Sequence, residues 1–245
     1  MRIGVVTGGD AHLVRRIDEA IGDEVERATN DDPRAVLDAN PSVVVAPGEA
    51  AVTGLVRAGV SVPILPVGAG PGLESVPESD VELGIEDLLA EEWTTRNRPL
   101  LSASVGGNRV ADALFDATLV TSEPARISEY SVRADGEFVD QFRADATVVA
   151  TPAGSRGYAR NAGGPVVQLG TEVVSVVPVA PFAIHVDDWV LRDPVTLAVE
   201  RDEDAVVLLA DDREVCPVEP HEPVEMAFDG TVELASVDAS RSFFA

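Results

Sequence analysis

Strand-length apolar runs alternate with helical periodicities through the first 70 residues of the chain. Leu13, Ile17 and Ile21, for example, recur at four-residue steps, which places them on one face of a helix. Strands that alternate with helices in this way predict a parallel, doubly wound α/β sheet. The predicted strands are Ile3–Val6, Val43–Ala46 and Val62–Leu65, and the predicted helices are Ala11–Ile21, Pro33–Ala39 and Ala50–Ala58.

The pattern changes after Arg98, where apolar runs follow one another without helices between them. A linking helix is predicted at Ile85–Trp93, and Asp135-Gly136 and Asp229-Gly230 are predicted hairpin turns. We therefore expect an α/β nucleotide-binding-like domain at 1–95, a β-rich, β-sandwich-like domain at 96–235, and a tail at 236–245 that returns to the first domain. The strands predicted in the β-rich part are Leu100–Val105, Arg109–Val110, Ala117–Val120, Tyr130–Arg133, Glu137–Gln141, Thr147–Ala150, Val166–Val167, Val173–Val177, Val195–Val199, Val206–Leu209, Val224–Ala227 and Val232–Leu234.

Acidic residues dominate the charge of the chain. Its formal net charge is −25, all 18 basic residues are arginine, and 45% of the residues are apolar. An apolar content this high argues against disorder, and scattered acids suit a surface adapted to multimolar salt, where screening removes self-repulsion. We therefore expect a cytoplasmic protein of a halophile with an acidic surface. Nucleic-acid binding is excluded because no basic stripe exists to neutralise phosphates.

Cysteine content and hydropathy exclude further classes of protein, among them disulfide-rich and membrane-spanning proteins. The single cysteine, Cys216, excludes an internal disulfide and a multi-cysteine metal site, and we expect it to be a small, partly buried apolar residue. No apolar run reaches membrane-spanning length, and the first residues already form a predicted strand, so we expect neither a membrane span nor a signal peptide. The three histidines lie far apart, which favours structural roles.

A glycine- and serine-rich segment, residues 151–165, directly follows the buried run Ala146–Ala150. Such a turn presents backbone N–H groups and small hydroxyls to a ligand, and the ring of Tyr158 offers a flat face for a base. Glycine-rich turns after strands are common and most bind nothing, so spacing alone leaves a purely structural role open.

The order of residues in this segment resembles the TPTGSTAY…S.GGP signature of NAD kinases, the enzymes that phosphorylate NAD to NADP. A weaker resemblance extends from the first strand to Asp211. The resemblance implies ATP as phosphoryl donor, Mg²⁺ as cofactor, an α/β domain followed by a β-rich domain, and a homo-oligomer, either a dimer or a tetramer. The matching residues are Thr151, Pro152, Gly154, Ser155, Tyr158, Gly163, Gly164 and Pro165, and those that depart are Ala153, Arg156, Gly157 and Asn161.

The resemblance also implies a catalytic carboxylate at Glu49. This residue stands where the aspartate of the family's GGDGT turn would be, and only Gly48 of that turn is retained. Glu49 would act as base or as a magnesium-side carboxylate; alternatively, it only stabilises the first turn of a helix. Asp10 follows two glycines at the end of the first strand and is expected to cap a helix, although it could also face the crevice at the strand ends.

By resemblance, Asp116 is the acid that holds the adenosine of NAD, but Phe115 replaces the family's asparagine and can only stack. A solvated acid at a strand start is the alternative for Asp116. Asp211-Asp212 resembles part of the family's Asp-Gly-Gln, without an assigned role. Glycines expected to let the backbone approach are Gly48, Gly163 and Gly164, and the residues expected to bind NAD are Asp116, Thr151, Gly154, Ser155, Arg156, Gly157, Tyr158 and Asn161.

The expected function is therefore ATP-dependent phosphorylation of the adenosine 2′-hydroxyl of NAD. Two alternatives stay open, because Glu49 and Phe115 alter positions that carry the chemistry in the resembled family. The chain could be a non-catalytic nucleotide-binding paralogue, acting as a sensor or a regulatory subunit. It could also be a kinase for a different hydroxyl acceptor, which the apolar Phe115 would suit.

Overall fold

The computed structural model describes residues 1–123, 126–183, 185–201 and 205–244. The chain divides into two compact units: unit 1 comprises Met1–Arg98 and Thr231–Ala245, and unit 2 comprises Pro99–Gly230. Ala245, the end of the predicted tail, lies outside the described residues.

The two units have different secondary structure: strands and helices alternate in unit 1, while strands dominate unit 2. The helices are α1 (Ala11–Ile21), α2 (Pro33–Asp38), α3 (Gly48–Arg57), α4 (Val81–Leu89) and α5 (Tyr158–Asn161). The strands are β1 (Ile3–Val6), β2 (Arg27–Asn30), β3 (Val43–Pro47), β4 (Ile64–Val67), β5 (Trp93–Val105), β6 (Asn108–Ala113), β7 (Asp116–Thr121), β8 (Ser128–Ala134), β9 (Glu137–Ala144), β10 (Ala146–Ala150), β11 (Val174–Val179), β12 (Trp189–Leu191), β13 (Val195–Arg201), β14 (Val206–Ala210), β15 (Arg213–Val218) and β16 (Val224–Val237).

Unit 1 is built on a parallel sheet with the strand order β2-β1-β3-β4, and the last part of β16 joins it beside β4. β1, β3 and β4 are buried along their whole length, as expected for parallel strands covered on both faces. The helix α1 has the predicted bounds, and the Asp10 side chain caps it by accepting the His12 N–H at 2.7 Å. The parallel α/β order and the capping role of Asp10 are confirmed.

In unit 1 one predicted helix has the wrong bounds, and one strand was not predicted. The linking helix is Val81–Leu89 instead of Ile85–Trp93, because Glu91 takes a left-handed φ of 59° and Trp93 begins β5. The strand β2 was missed altogether. Its sequence, Arg27–Asn30, is polar and partly exposed, so an edge strand of this kind carries no apolar periodicity.

Unit 2 is an antiparallel β-sandwich. One sheet has the order β12-β11-β10-β7-β14-β15, and the other contains β9, β8, β13 and the first part of β16, with β5 and β6 paired to it. Side chains from both sheets meet in one core, in which Leu119 and Val149 pack with Tyr130 and Leu197. Phe142 stacks on Trp189 with ring centroids 5.7 Å apart and extends this core. Cys216 is half-buried and packs against it, as expected.

Turn predictions in unit 2 had mixed outcomes. Asp135 and Gly136 have φ values of 51° and 79° and form the predicted hairpin between β8 and β9. Asp229-Gly230 is not a turn: both residues lie inside β16, which joins two predicted strands into one. Val166–Val167 is not a strand, since the Val167 N–H bonds to the Ser155 hydroxyl instead of to a neighbouring strand. The short strands β12 and β15 were missed.

Among the residues that the structure describes, no helix is long and apolar enough to cross a membrane.

Candidate functional site

The predicted binding turn follows β10, a buried strand between β11 and β7. Thr151 ties the start of this turn to the junction of β6 and β7. Its hydroxyl donates to the Leu114 carbonyl at 2.7 Å and receives the Gly154 N–H at 3.2 Å, while its own N–H donates to the Phe115 carbonyl at 2.8 Å. The turn is therefore held against the strand that begins with Asp116.

Ser155 stabilises the turn from inside. It has 0% exposed surface, and its hydroxyl lies 2.7 Å from the Pro152 carbonyl oxygen and accepts the Val167 N–H at 3.0 Å. Thr151 is equally buried. Direct contact of Thr151 and Ser155 with NAD stays a prediction, and in this structure both side chains are buried and bonded within the protein. Their hydroxyls form hydrogen bonds with backbone N–H and carbonyl groups of the loop that have no backbone partner in a sheet or helix.

The signature glycines have packing reasons of their own. A Cβ on Gly154 would lie 2.5 Å from the Phe115 carbonyl carbon, and one on Gly164 would lie 2.5 Å from Cγ2 of Val177. Gly163 instead needs its φ of 109°, a conformation that other residues rarely adopt. Gly154 and Gly164 thus allow other parts of the protein to approach closely, and their predicted approach to a ligand stays a prediction.

The exposed face of the turn is formed by the remaining predicted residues: Gly157, Tyr158 and Asn161 are exposed, and Arg156 is partly so. Tyr158 is 41% exposed. Partial burial raises the pKa of its phenol, and the negative charges of Asp116, Asp145 and Asp212 raise it further. The phenol is consequently neutral at physiological pH and able to donate a hydrogen bond.

Asp116 is a buried carboxylate at the start of β7, with 6% of its surface exposed. Of the aspartates and glutamates that the structure describes, it is the one that belongs to the buried polar set. The Thr118 hydroxyl donates to its Oδ1 at 3.1 Å. The alternative of a solvated acid is therefore wrong. A buried carboxylate is costly unless polar groups surround it, which makes this position unusual in so acidic a chain.

Asp211 has a direct structural role that sequence reasoning missed. Its carboxylate accepts the N–H groups of Leu114 at 2.9 Å and Phe115 at 2.7 Å, and that of Asp116 at 3.4 Å. These partners lie some 95 residues earlier in the chain, so no local pattern could reveal them. The one available signal was the resemblance of Asp211-Asp212 to a family motif without an assigned role.

In unit 1, Glu49 lies exposed in the first turn of α3. Its Oε1 is 3.0 Å from the place that a Cβ on Gly70 would take, so the absence of a side chain there makes room for the carboxylate. Gly48, with a φ of 77°, sets the turn into the helix. The loop after β1 is a neighbour, since a Cβ on Gly9 would lie 3.9 Å from the Pro47 carbonyl oxygen.

A cavity of about 390 Å³ opens between the end of β4 and the C-terminal segment. Its lining contains one acid and one base, Glu78 and Arg241. No group of three or more histidine, cysteine, aspartate or glutamate side chains suited to a metal ion occurs among the described residues. Glu49 and Asp10 thus lie in unit 1, whereas every predicted NAD-binding residue lies in unit 2.

Residues 115–230 match the model of the ATP-NAD kinase C-terminal domain. The resemblance to the NAD kinases is confirmed. The NAD kinase of Methanopyrus kandleri is 31% identical over 175 residues, which are 71% of this chain and 60% of that protein. The NAD kinase of Pyrococcus furiosus is 38% identical over 124 residues, or 49% of this chain and 45% of that protein. The chain spans about half the length of the curated NAD kinases it matches.

Solved structures agree on the fold. An NAD kinase from Archaeoglobus fulgidus in complex with ATP superposes with a TM-score of 0.80 at 24% identity, covering 97% of this chain and 94% of that chain. Yeast NADH kinase complexed with NADH gives a TM-score of 0.78 at 13% identity, covering 96% and 83%. The predicted fold, an α/β part with a parallel sheet and a β-rich part as in NAD kinases, is confirmed. The matched NAD kinase domain begins at Phe115 and includes every predicted NAD-binding residue.

Proposed function

We propose that the chain is an NAD kinase-like phosphotransferase that uses ATP to phosphorylate the adenosine 2′-hydroxyl of NAD. One observation carries the proposal: a segment that matches the ATP-NAD kinase C-terminal domain contains both a buried carboxylate, Asp116, and an exposed aromatic residue, Tyr158, as the resembled family's binding site requires. Structural neighbours in complex with ATP and with NADH support the choice of ligands.

Unit 2 is proposed as the NAD-binding part. Asp116 accepts a hydrogen bond from the adenosine, and the Tyr158 ring contacts the base while its neutral hydroxyl donates. Arg156 attracts the pyrophosphate, and Gly157 and Asn161 complete the exposed face. Thr151, Gly154 and Ser155 act indirectly, because they hold the turn that presents the other residues.

Unit 1 is proposed to supply the carboxylate for phosphoryl transfer. Glu49 is exposed at the end of β3, where loops of a parallel sheet present functional groups. It orients or deprotonates the acceptor hydroxyl, a role that a carboxylate at this kind of site fills in other kinases. Asp10 caps α1, since its Oδ1 accepts the His12 N–H.

Magnesium fits this arrangement as an ion that arrives with the triphosphate. Mg²⁺ in phosphoryl-transfer sites is held by one or two carboxylates together with substrate phosphates, so a dedicated cluster of protein ligands is not required. Glu49 is the carboxylate that would bind it. When bound, the ion neutralises negative charge on the phosphates.

The working environment is proposed to be the salt-rich cytoplasm of a halophile. The net charge of −25, with arginine as the only strong base, is tolerable when multimolar salt screens the repulsion between acids. A homo-oligomer is proposed by resemblance to the family alone.

The test is NADP formation by the purified chain with NAD, ATP and Mg²⁺ in multimolar potassium chloride, alongside a calorimetric titration with NAD. We expect both turnover and binding. Binding without turnover would favour the non-catalytic paralogue, and turnover with another hydroxyl compound but not NAD would favour the different acceptor. The absence of both NAD binding and turnover would overturn the proposal.

A further inference from the structure

The corner between β6 and β7, Leu114-Phe115-Asp116, is held in an unusual way. Each of its six backbone N–H and carbonyl groups is paired with a group of Asp211 or Thr151. Most strand ends leave such groups to water or to several neighbours. Here two residues, through their side chains and their backbone N–H groups, fix the backbone of the segment that carries Asp116.

Asp211 provides the larger share. Its two carboxylate oxygens accept all three N–H groups of the corner, and its own N–H donates to the Asp116 carbonyl at 3.0 Å. From the opposite side, Thr151 receives nothing from the corner but donates to the carbonyls of Leu114 and Phe115. Asp211 therefore binds the N–H groups of the corner, and Thr151 and Asp211 together bind its carbonyl groups.

The turn that carries Asp211 gives the carboxylate a fixed direction. Asp211 and Asp212 have φ values of 48° and 64° and are the two central residues between the paired Ala210 and Arg213. In this two-residue hairpin turn the Asp211 carboxylate lies against the N–H groups of the corner. Aspartate tolerates the left-handed conformation, so the same residue can close the turn and reach the corner.

We propose that Asp211 is a positioning residue for substrate binding: it sets the corner so that Asp116 and Phe115 meet the adenosine of NAD. This inference rests on the proposed function. A carboxylate is required, because an asparagine at the same place would offer one acceptor oxygen and turn an N–H₂ group towards N–H donors. Without the carboxylate the corner relaxes, and the buried Asp116 side chain loses its orientation.

The experiment compares Asp211→Asn with Asp135→Asn. Asp135 has the same position in the β8–β9 hairpin turn, a φ of 51° and an exposed side chain, so the control removes the same charge from the same kind of turn. Two quantities are measured in multimolar potassium chloride: hydrogen exchange at the amides of Leu114, Phe115 and Asp116, and the Kd and KM for NAD.

For Asp211→Asn we expect exchange at these three amides to accelerate, and the Kd and KM for NAD to rise about tenfold with a smaller change in kcat, as the loss of charge-assisted hydrogen bonds predicts. Asp135→Asn should change none of these. If Asp211→Asn fails to fold, Thr151→Val tests the hydrogen bond from the Thr151 hydroxyl to the Leu114 carbonyl. This substitution should weaken NAD binding, and Thr151→Ser, which keeps the hydroxyl, should not.

Two results would overturn the inference. Unchanged exchange at the three amides would show that the carboxylate does not hold them. Faster exchange with unchanged NAD affinity would show that the corner does not position the substrate. If the unsubstituted chain does not bind NAD, the proposed function fails together with the substrate part of this inference, whereas the exchange data still decide whether Asp211 fixes the corner.

Discussion

The turn after β10 and the turn after β3 differ in how tightly they are packed. In the first, Thr151 and Ser155 are buried and their hydroxyls bond to the backbone, and Gly154 leaves no room for a side chain. In the second, nothing lies within 4 Å of where a Cβ on Gly48 would be, and Glu49 is exposed. The first turn is specified by packing, whereas in the second a side chain at position 48 would meet no atom and would cost only the strain of the left-handed backbone.

The packing of the turn after β10 explains why this chain retains much of the NAD kinase signature. Much of the family signature in the turn after β10 serves the loop itself, so its presence shows that the scaffold is intact. The proposed chemistry would depend instead on exposed groups, above all Glu49, whose identity the fold does not dictate. Four substitutions or titrations test this difference, from the largest expected effect to the smallest.

Gly154→Ala should be far more damaging than Gly48→Ala. The added methyl at 154 would collide with the Phe115 backbone, which cannot yield without breaking the bonds to Thr151. We expect a loss of about 3 kcal/mol or more in the free energy of unfolding for Gly154→Ala, against about 1 kcal/mol for the left-handed position 48. Denaturant unfolding at constant salt measures both, and equal losses would contradict the contrast between the two turns.

Glu49→Gln should show the reverse pattern, with little effect on stability and a large effect on turnover. Removing a general base or a metal-side carboxylate lowers kcat by at least about 100-fold. The free energy of unfolding should change by no more than about 0.5 kcal/mol, because the side chain is exposed. Glu86→Gln, at an exposed position of α4, is the matched control. Full activity of Glu49→Gln would exclude a catalytic role.

Tyr158→Ala should weaken NAD binding by about tenfold, the scale of one lost aromatic contact, and leave folding intact. Tyr158→Phe keeps the ring and should lose less. Phe138→Ala removes another exposed aromatic residue from unit 2 and serves as the control. Calorimetric titration decides the point: equal affinities for the Tyr158→Ala and Phe138→Ala variants would remove Tyr158 from the site.

The smallest expected effect is a change in the pKa of one of the two tyrosines, Tyr158 and Tyr130. Burial raises the pKa of both phenols, so each is protonated more tightly in the folded chain than in the unfolded chain. Any stability linked to them is therefore fully present below the unfolded value of about 10 and is lost as the pH rises through the folded pKa. Asp212→Asn should lower the pKa of Tyr158 and leave that of Tyr130 unchanged; a spectrophotometric titration with no difference would contradict this.

The sequence predicted those elements whose signals are local. The four-residue spacing in α1, its Asp10 cap and the Asp135-Gly136 turn each depend on neighbours in the chain, and all three are present. β2 was missed because its residues are polar. Asp229-Gly230 misled because a turn-forming pair can also lie within a long strand, here with a φ of 88° at Gly230.

The candidate site was predictable only in outline. The segment after β10 could be located from its motif, but the burial of Asp116 and the inward direction of Ser155 depend on strands brought together by the sandwich. Asp211 illustrates the limit most clearly, since its function is to bond to amides that are distant in sequence. Residues proposed to contact NAD and residues that fix the loop can be told apart only by their exposure and by their long-range hydrogen bonds, and neither is visible in the sequence.

Phosphate transfer to NAD is the measurement that tests the central claim most directly. The purified chain and its Glu49→Gln variant would be incubated with NAD and γ-labelled ATP in multimolar potassium chloride, and the product would be identified. The account predicts label on the adenosine 2′-oxygen of NADP with the unsubstituted chain and almost none with the variant. NAD that binds to the chain but stays unlabelled under these conditions would contradict it.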